Sequence, residues 1–196
     1  MFTLDGVSVP SAIRDVAALL QRLPGVGEKT ALRYALALAG ADYTSALGDA
    51  LQAMSFVVRP CSTCGSLTDD DCAFCARATG IVCVVHRYQD LLAIERAAPN
   101  KMRYFVLGKL LAPLEGIDAS DLPLPALRAQ VAAAEEVVLA LPPSVEGEAT
   151  ALLLCREFPG LAVTRLARGL PHGSNLEFAD AITLRGALDE RARVAT

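Results

Sequence analysis

The sequence has little of what marks a secreted or membrane protein. Its first residues do not read as a secretory leader, and no apolar run is long enough to cross a bilayer. It also shows no internal repeat and no low-complexity tract. We therefore expect a protein of the reducing cytoplasm, where disulfides are uncommon, and no membrane partner.

An excess of charge of one sign is also missing. The 196 residues carry a formal net charge of −4, with 53% hydrophobic and 20% charged residues. This composition supports a real hydrophobic core and argues against wholesale disorder. It also excludes a global electrostatic attraction to nucleic acid, so any such binding should be local and should weaken with salt.

Four of the six cysteines form a compact cluster of two Cys-x-x-Cys pairs, which are separated by seven residues: Cys61, Cys64, Cys72 and Cys75. Four soft sulfur donors at this spacing predict one tetrahedral structural Zn²⁺ site. Two disulfides or free thiols are the alternatives. A cluster this small cannot bury a core of its own, so we predict a modular chain in which metal staples one part between two larger ones.

The hydrophobic pattern divides around these cysteines. Before them it predicts three helices, at 11–22, 28–39 and 45–57. After Gly80 it predicts strands that alternate with helices: strands at 81–85, 104–107, 136–141 and 161–167, and helices at 88–98, 125–134 and 147–158. The alternation indicates an α/β unit with a mainly parallel sheet. The last thirty or so residues look like an extended arm, and Cys83 and Cys155 are expected to be small core residues.

A turn with two glycines joins the first two predicted helices. Gly25 and Gly27 permit tight backbone angles, and the free amides at the start of the second helix can face an anion. Lys29 and Arg33 are four residues apart, so they share a helix face. Together these features predict a device that grips phosphate without reading bases. The alternative is a sharp turn that only packs or dimerises, with both cations solvated.

Two acids follow the predicted strand at 136–141. Glu146 and Glu148 could hold Mg²⁺, or Glu148 could serve as a favourable charge in the first turn of a helix. A strand-end acid followed by an acid pair is the layout of the Toprim fold. Here the first strand ends instead at His86, which does not replace a hard carboxylate ligand. We find no plausible nucleophile beside the acids, so we predict no catalytic residue.

The order of these motifs resembles the RecR family of bacterial recombination mediators. The resemblance covers roughly residues 11–190 and rests on four segments: Leu-Pro-Gly-Val-Gly-Glu-Lys-Thr-Ala at 23–31, the cysteine cluster at 61–75, Val-Glu-Gly-Glu-Ala-Thr at 145–150, and residues 164–180. It implies an α+β multi-module fold: a helix–hairpin–helix domain at 1–57, a four-Cys zinc finger at 58–79, a Toprim-like α/β domain at 80–167, and a C-terminal arm at 168–196.

The resemblance also implies a function. Such proteins are non-enzymatic and act in DNA repair with RecO, and in some contexts RecF, at gaps and junctions, where they help RecA to load on single strands. They form dimers and ring-like tetramers that can encircle DNA. By matched position, Lys29 and Arg33 correspond to the basic residues that contact DNA, in a hairpin bent by Gly25 and Gly27. The four clustered cysteines correspond to the zinc ligands, and Glu146 is similar to an acid near the partner-binding face.

The sequence departs from the family pattern at several positions. The family usually has Glu in place of His86, Ser-Pro in place of Arg87-Tyr88, and His in place of Lys109; a late Pro-x-Gly-Gly is replaced by Pro171-His172-Gly173-Ser174. Two other functions stay open at this point. One is a Mg²⁺-dependent nuclease that uses Glu146 and Glu148, and the other is a zinc-stapled scaffold that binds proteins and not DNA.

Overall fold

A computed structural model describes residues 9–167, 169–170 and 173–191. The chain forms two compact units, Met1–Val58 and Arg59–Thr196, which we call unit 1 and unit 2. Pro171 and His172 of the predicted arm lie outside the described residues. The domain boundaries expected from the sequence stay predictions.

Unit 1 contains three helices, α1 (Ser11–Leu20), α2 (Glu28–Ala39) and α3 (Thr44–Val57). Helices α1 and α2 pack through a small core whose buried members are all alanine: Ala17, Ala31 and Ala35. Ile13, Leu20 and Val26 cover this core from its edges. Because alanine side chains are short, the backbones of the two helices can approach closely, which fixes the turn between them.

Helix α3 contains no buried residue. Leu51, Met54 and Phe56 on this helix are 53%, 55% and 79% exposed. Apolar exposure of this extent on one helix is a feature of surfaces that contact another molecule.

Unit 2 is built on a four-stranded sheet. Its strands are β3 (Ile81–Val85), β4 (Arg103–Val106), β5 (Glu136–Ala140) and β6 (Ala162–Arg165), in the spatial order β4-β3-β5-β6 and all parallel. A two-stranded antiparallel hairpin, β1 (Arg59–Pro60) with β2 (Leu67–Thr68), precedes this sheet. The predicted α+β organisation, with a mainly parallel sheet, is therefore confirmed.

The strands β3 and β5 are buried on both faces because helices cover each side. Val82 and Val84 point into one core, whereas Cys83 and Val85 point into the other. The helices of unit 2 are α4 (Tyr88–Ala97), α5 (Leu124–Val131), α6 (Val145–Glu157) and α7 (Ala181–Asp189). None of the described helices is both long and apolar enough to cross a membrane.

One prediction about the cysteines is wrong. Cys83 is fully buried in β3 as expected, but Cys155 is exposed on α6. The buried face of α6 carries Gly147, Thr150 and Leu154. Cys155 follows Leu154 directly and is therefore turned by about 100° away from that face. Its apolar neighbours in the sequence do not determine its side of the helix.

Candidate metal centre and nucleic-acid interface

The four clustered cysteines converge on one point in unit 2. Their sulfur atoms all lie within 4.8 Å of one another. The Sγ atoms of Cys61 and Cys75 are 3.6 Å apart, as are those of Cys64 and Cys72. A tetrahedral ion with Zn–S bonds of about 2.3 Å separates its ligands by about 3.8 Å. The donors and their spacing therefore fit a structural zinc ion.

The thiols are free, which contradicts the disulfide alternative. A disulfide needs sulfur atoms about 2.05 Å apart, and the two contacts of 3.6 Å join sulfurs from different Cys-x-x-Cys pairs. Within the described part of the chain, no other group of three or more metal-ligating side chains is found. The zinc prediction is confirmed, and in the described residues Glu146 and Glu148 do not belong to a group of three or more side chains that could hold a metal ion.

The first cysteine pair is held between β1 and β2. The amide of Gly65 donates to the carbonyl of Cys61 at 2.8 Å. Gly65 has a φ of +72°, and a Cβ atom at this position would lie 2.6 Å from the carbonyl oxygen of Val106. The amide of Val106 in turn donates to the carbonyl of Cys64 at 2.7 Å. The first pair is therefore bonded directly to the end of β4, the edge strand of the sheet.

The second cysteine pair is joined to the sheet by side chains. Phe74, which lies between Cys72 and Cys75, packs edge-on against Tyr104 of β4 with ring centroids 5.6 Å apart. The guanidinium of Arg77 lies 4.9 Å from the centroid of the Phe74 ring. A cation over an aromatic face is favourable, more so when it is shielded from water.

Arg77 is fixed on its other side by an ion pair. Its two terminal nitrogens donate to the two carboxylate oxygens of Glu95 at 2.8 and 2.9 Å, and Nη1 also donates to the carbonyl of Met102 at 2.9 Å. The amide of Asn100 donates to the same carboxylate at 2.9 Å. These bonds lower the pKa of Glu95 to about 2, with Arg77 as the main cause. The bidentate ion pair of Arg77 with Glu95 therefore joins the end of the zinc finger to helix α4 of the α/β domain.

The pKa values of the clustered thiols are shifted in different directions. Burial raises the pKa of Cys72, but the Ser66 hydroxyl and the amides of Cys75 and Phe74 outweigh it and lower the pKa to about 6. Burial and the neighbouring cysteine side chains raise the pKa of Cys75 well above its ordinary value. The cluster therefore contains one sulfur rich in donors and one that meets only other sulfurs.

The turn of unit 1 presents both of its glycines to solvent. Gly25 has a φ of +76°, a left-handed conformation that favours glycine, and it is exposed together with Gly27. Gly27 is the N-cap of α2 and offers no side chain there. A Cβ at either glycine would meet nothing within 4 Å. The amides of the first turn of α2, which have no intrahelical acceptors, therefore begin beside an open surface.

Two cations extend this surface along α2. Lys29 and Arg33 are exposed and lie one helical turn apart. The guanidinium of Arg33 lies 5.6 Å from the ring centroid of Tyr34. Glu28, in the same first turn, is the one acid of the helix. The structure thus brings amides and two cations to one exposed corner, as the sequence predicts, and their contact with DNA stays a prediction.

The acids after β5 belong to a helix. Both Glu146 and Glu148 lie in the first turn of α6, and the hydroxyl of Ser144 accepts a bond from the amide of Gly147 at 3.2 Å. Glu148 forms an ion pair with Arg165 at 3.7 Å. Glu146 is exposed, and its own amide and the Ser144 hydroxyl lower its pKa. Glu148 therefore lies in the first turn of a helix, as the alternative to a Mg²⁺ ligand predicts.

Three of the residues that depart from the family pattern, His86, Arg87 and Lys109, follow the carboxyl ends of β3 and β4. Half-buried His86 follows β3, and burial is the main cause that lowers its pKa. Exposed Arg87 is the N-cap of α4, and its amide donates to Asp90 at 3.0 Å. Lys109 pairs with Asp121 at 3.7 Å. None of these side chains supplies an oxygen ligand where Toprim enzymes have one.

Sequence reasoning missed three residues around the zinc site: Ser66, Arg77 and Glu95. Arg77 is the one cation in residues 61–80. A single cation beside a cysteine cluster indicates that it has a charged partner elsewhere in the chain, and this indication is present in the sequence. The pairing with Glu95, eighteen residues away along the chain, has no signal in the sequence pattern.

Comparison with known proteins identifies the modules. Family profiles match residues 58–76 as the RecR zinc finger domain of the four-cysteine type, residues 80–167 as the Toprim domain and residues 169–191 as the C-terminal region of RecR. The recombination protein RecR of Geobacter sulfurreducens is 46% identical over 96% of this chain and 100% of its own length.

Other relatives agree. The recombination protein RecR of Anaeromyxobacter dehalogenans is 45% identical over 94% of this chain and 98% of its own, and that of Desulfitobacterium hafniense is 37% identical over 97% and 100%. Both identities extend over the zinc finger, the sheet and the C-terminal region together. The chain belongs to the RecR family of recombination proteins, with a structural four-cysteine zinc finger and a Toprim domain.

Proposed function

We propose that the chain is a non-enzymatic, DNA-binding mediator of recombination and repair. Several subunits would hold gapped or junction DNA and, with a RecO-like and in some contexts a RecF-like partner, help RecA to load on single strands in the cytoplasm. The family supports the process, since its curated members are described as recombination proteins. The proposed binding of DNA and of protein partners is inferred from the exposed residues of this chain.

One observation carries the DNA-binding part of the proposal. The corner formed by Gly25, Gly27, Lys29 and Arg33 is exposed. Helix amides and basic side chains together favour an anion, and nothing at this corner reads base edges. We therefore expect binding that tolerates any sequence.

Affinity should depend on several subunits acting together. The chain has a net charge of −4, and one hairpin offers two cations. A single subunit would therefore bind weakly, while linked hairpins on one DNA molecule raise the effective concentration of each. The exposed apolar side chains of α3 support self-association, because Leu51, Met54 and Phe56 are more than half exposed.

The charges at the carboxyl end of the sheet support a non-enzymatic role. Mg²⁺ sites use carboxylates that remain available to the ion. Here Glu148 pairs with Arg165, and His86 follows the strand at which an acid normally stands. Glu146 is exposed at this edge, where a protein partner could reach it. These features favour recognition of a partner over hydrolysis of DNA.

The direct test measures DNA binding by the full-length, zinc-loaded protein. Retention of a gapped duplex is followed from about 25 to about 300 mM salt for the wild type and for Lys29→Ala/Arg33→Ala. Each cation that contacts a duplex phosphate contributes about 0.9 to the slope of log K against log salt. We expect the double variant to bind weakly, with a slope reduced by about 1.8 for each engaged subunit.

A matched control removes the same charge elsewhere. Arg14 and Arg96 are exposed cations outside the hairpin, on α1 and α4. Arg14→Ala/Arg96→Ala should retain the wild-type slope to within about 0.5. Equal binding by the wild type and the hairpin variant would exclude the hairpin as the DNA contact and favour a scaffold that binds only proteins.

A further inference from the structure

We propose that the hydroxyl of Ser66 is a positioning group of the zinc site, which donates its hydrogen bond to the thiolates of Cys64 and Cys72 and thereby slows the loss of zinc. Ser66 belongs to neither Cys-x-x-Cys pair. The proposal deepens the structural zinc assignment and does not depend on whether the chain binds DNA.

The geometry at Ser66 is that of a bridge. Its Oγ lies 3.1 Å from the Sγ of Cys64 and 3.1 Å from the Sγ of Cys72, and these two sulfurs are 3.6 Å apart. The oxygen thus reaches one sulfur from each pair at the same distance. No other hydroxyl among the described residues is recorded within hydrogen-bond distance of any of the four sulfurs.

Because Ser66 is buried, its hydroxyl must form its hydrogen bonds with the sulfur atoms. Ser66 is 0% exposed, and so is Cys64. A buried hydroxyl needs a hydrogen-bond partner, because burial removes its contacts with water. The two sulfurs are the only acceptors recorded for this hydroxyl in the described part of the chain. Its single proton is therefore directed between them.

The backbone of the same residue extends the bridge to a third ligand. The carbonyl of Ser66 accepts a bond from the amide of Cys61 at 2.7 Å. Ser66 therefore fixes Cys61 through its main chain and Cys64 and Cys72 through its side chain. Cys75 has no recorded contact with Ser66, and its Sγ lies 3.6 Å from that of Cys61.

The expected chemistry follows from the charge of the ligands. When zinc is bound, the four sulfurs are thiolates that carry excess negative charge. A donor to a thiolate withdraws electron density from the sulfur, which makes it a poorer base and nucleophile. Groups of this kind orient the ligands of a metal, and removing one typically costs about 10- to 100-fold in metal affinity. A neutral hydroxyl shared between two sulfurs belongs at the lower end of that range.

The test compares three full-length, zinc-loaded proteins: the wild type, Ser66→Ala and Ser62→Ala. Ser62 lies inside the first pair but is exposed, so its variant makes the same chemical change in the same finger without touching the bridge. Zinc release to excess chromogenic chelator gives the rate. Cobalt substitution gives the sulfur-to-metal charge-transfer band, whose energy reports electron density on the thiolates.

We expect Ser66→Ala to release zinc about tenfold faster than the wild type and to shift the charge-transfer band to longer wavelength. Ser62→Ala should match the wild type in both measurements. Equal rates for the two variants would overturn the proposal. Faster release with an unmoved cobalt band would also overturn it, because that result assigns the effect to packing and not to a hydrogen bond on sulfur.

Discussion

The contact of Arg77 with Glu95 offers the sharpest test of how the zinc finger is held to the sheet. The change Arg77→Met keeps the aliphatic length over Phe74 but removes all three hydrogen bonds that the guanidinium donates. The Glu95 carboxylate then keeps the amide of Asn100 as its main-chain donor. A partly buried charge without its partner is the costly product of this substitution.

The size of the effect follows from exposure. The side chains of Arg77 and Glu95 are 16% and 19% exposed. Removing one partner of a fully buried pair costs about 3–5 kcal/mol, and exposed pairs are worth about 0–1 kcal/mol. For this mostly shielded pair we expect Arg77→Met to lower the free energy of unfolding by about 2–3 kcal/mol. With a urea m-value of about 2–3 kcal/mol/M, the midpoint should fall by about 1 M.

The assay is urea unfolding of the zinc-loaded protein, followed by circular dichroism and by zinc release in the same sample. The matched control is Arg128→Met, which breaks an ion pair with Glu157 in which Arg128 is 54% exposed. That variant should lose less than about 1 kcal/mol. Equal losses in the two variants would refute the reasoning, because the Arg77 contact would then behave as an ordinary surface pair.

Four further results are expected. The Glu95 contact stabilises the fold above the ordinary pKa near 4.5, and this stability disappears as the pH falls through about 2, so the wild type should lose its excess over Arg77→Met in acid denaturation. Gly147→Ala should destabilise unit 2 by at least about 2 kcal/mol in urea unfolding, because the added Cβ would lie 2.0 Å from the Pro142 carbonyl oxygen. Gly48→Ala should instead stabilise α3 by about 0.5–1 kcal/mol, because an added Cβ there would meet nothing within 4 Å. Chelating zinc should speed hydrogen exchange in residues 59–80 far more than in β3 and β5.

The regular elements were predictable because local sequence determines them. Helix α2 begins at Glu28 and ends at Ala39, as predicted, since Gly27 and Gly40 bracket a run of good helix formers. Strand β3 matches its prediction because Ile81-Val82-Cys83-Val84-Val85 is a continuous apolar run rich in β-branched residues. The order of strands and helices then restricts the sheet to a parallel one.

Helix α6 shows where local pattern fails. The sequence predicts a helix from 147, but α6 begins at Val145, so both acids belong to it. Its buried face includes Gly147 and Thr150, a residue without a side chain and a polar residue, which hide the helical period. Thr150 is buried because its hydroxyl accepts from the amide of Leu111 at 2.9 Å and donates to the carbonyl of Glu146. That tertiary bond has no signature in hydrophobic spacing.

The zinc site was predictable in its ligands but not in its setting. The spacing of four cysteines is itself a chemical pattern, because few other arrangements need it. Ser66 lies two residues after Cys64 like any loop serine, and only its 0% exposure sets it apart from exposed Ser62. Burial of a single polar side chain depends on how the finger folds onto β4, and no period in the sequence encodes it.

The carboxyl edge of the sheet carries paired charges, and this bears on function. In a Toprim enzyme this edge must present uncompensated carboxylates, because Mg²⁺ binds where negative charge and oxygen ligands are available. Here a cation follows or ends three of the four strands, and each has a carboxylate within 4 Å: Arg87 with Asp90, Lys109 with Asp121, and Arg165 with Glu148 and Glu190. Pairing within the chain neutralises much of this edge. An edge of this kind attracts a metal ion weakly but offers a mixed-charge surface, which is the composition that a protein partner can match.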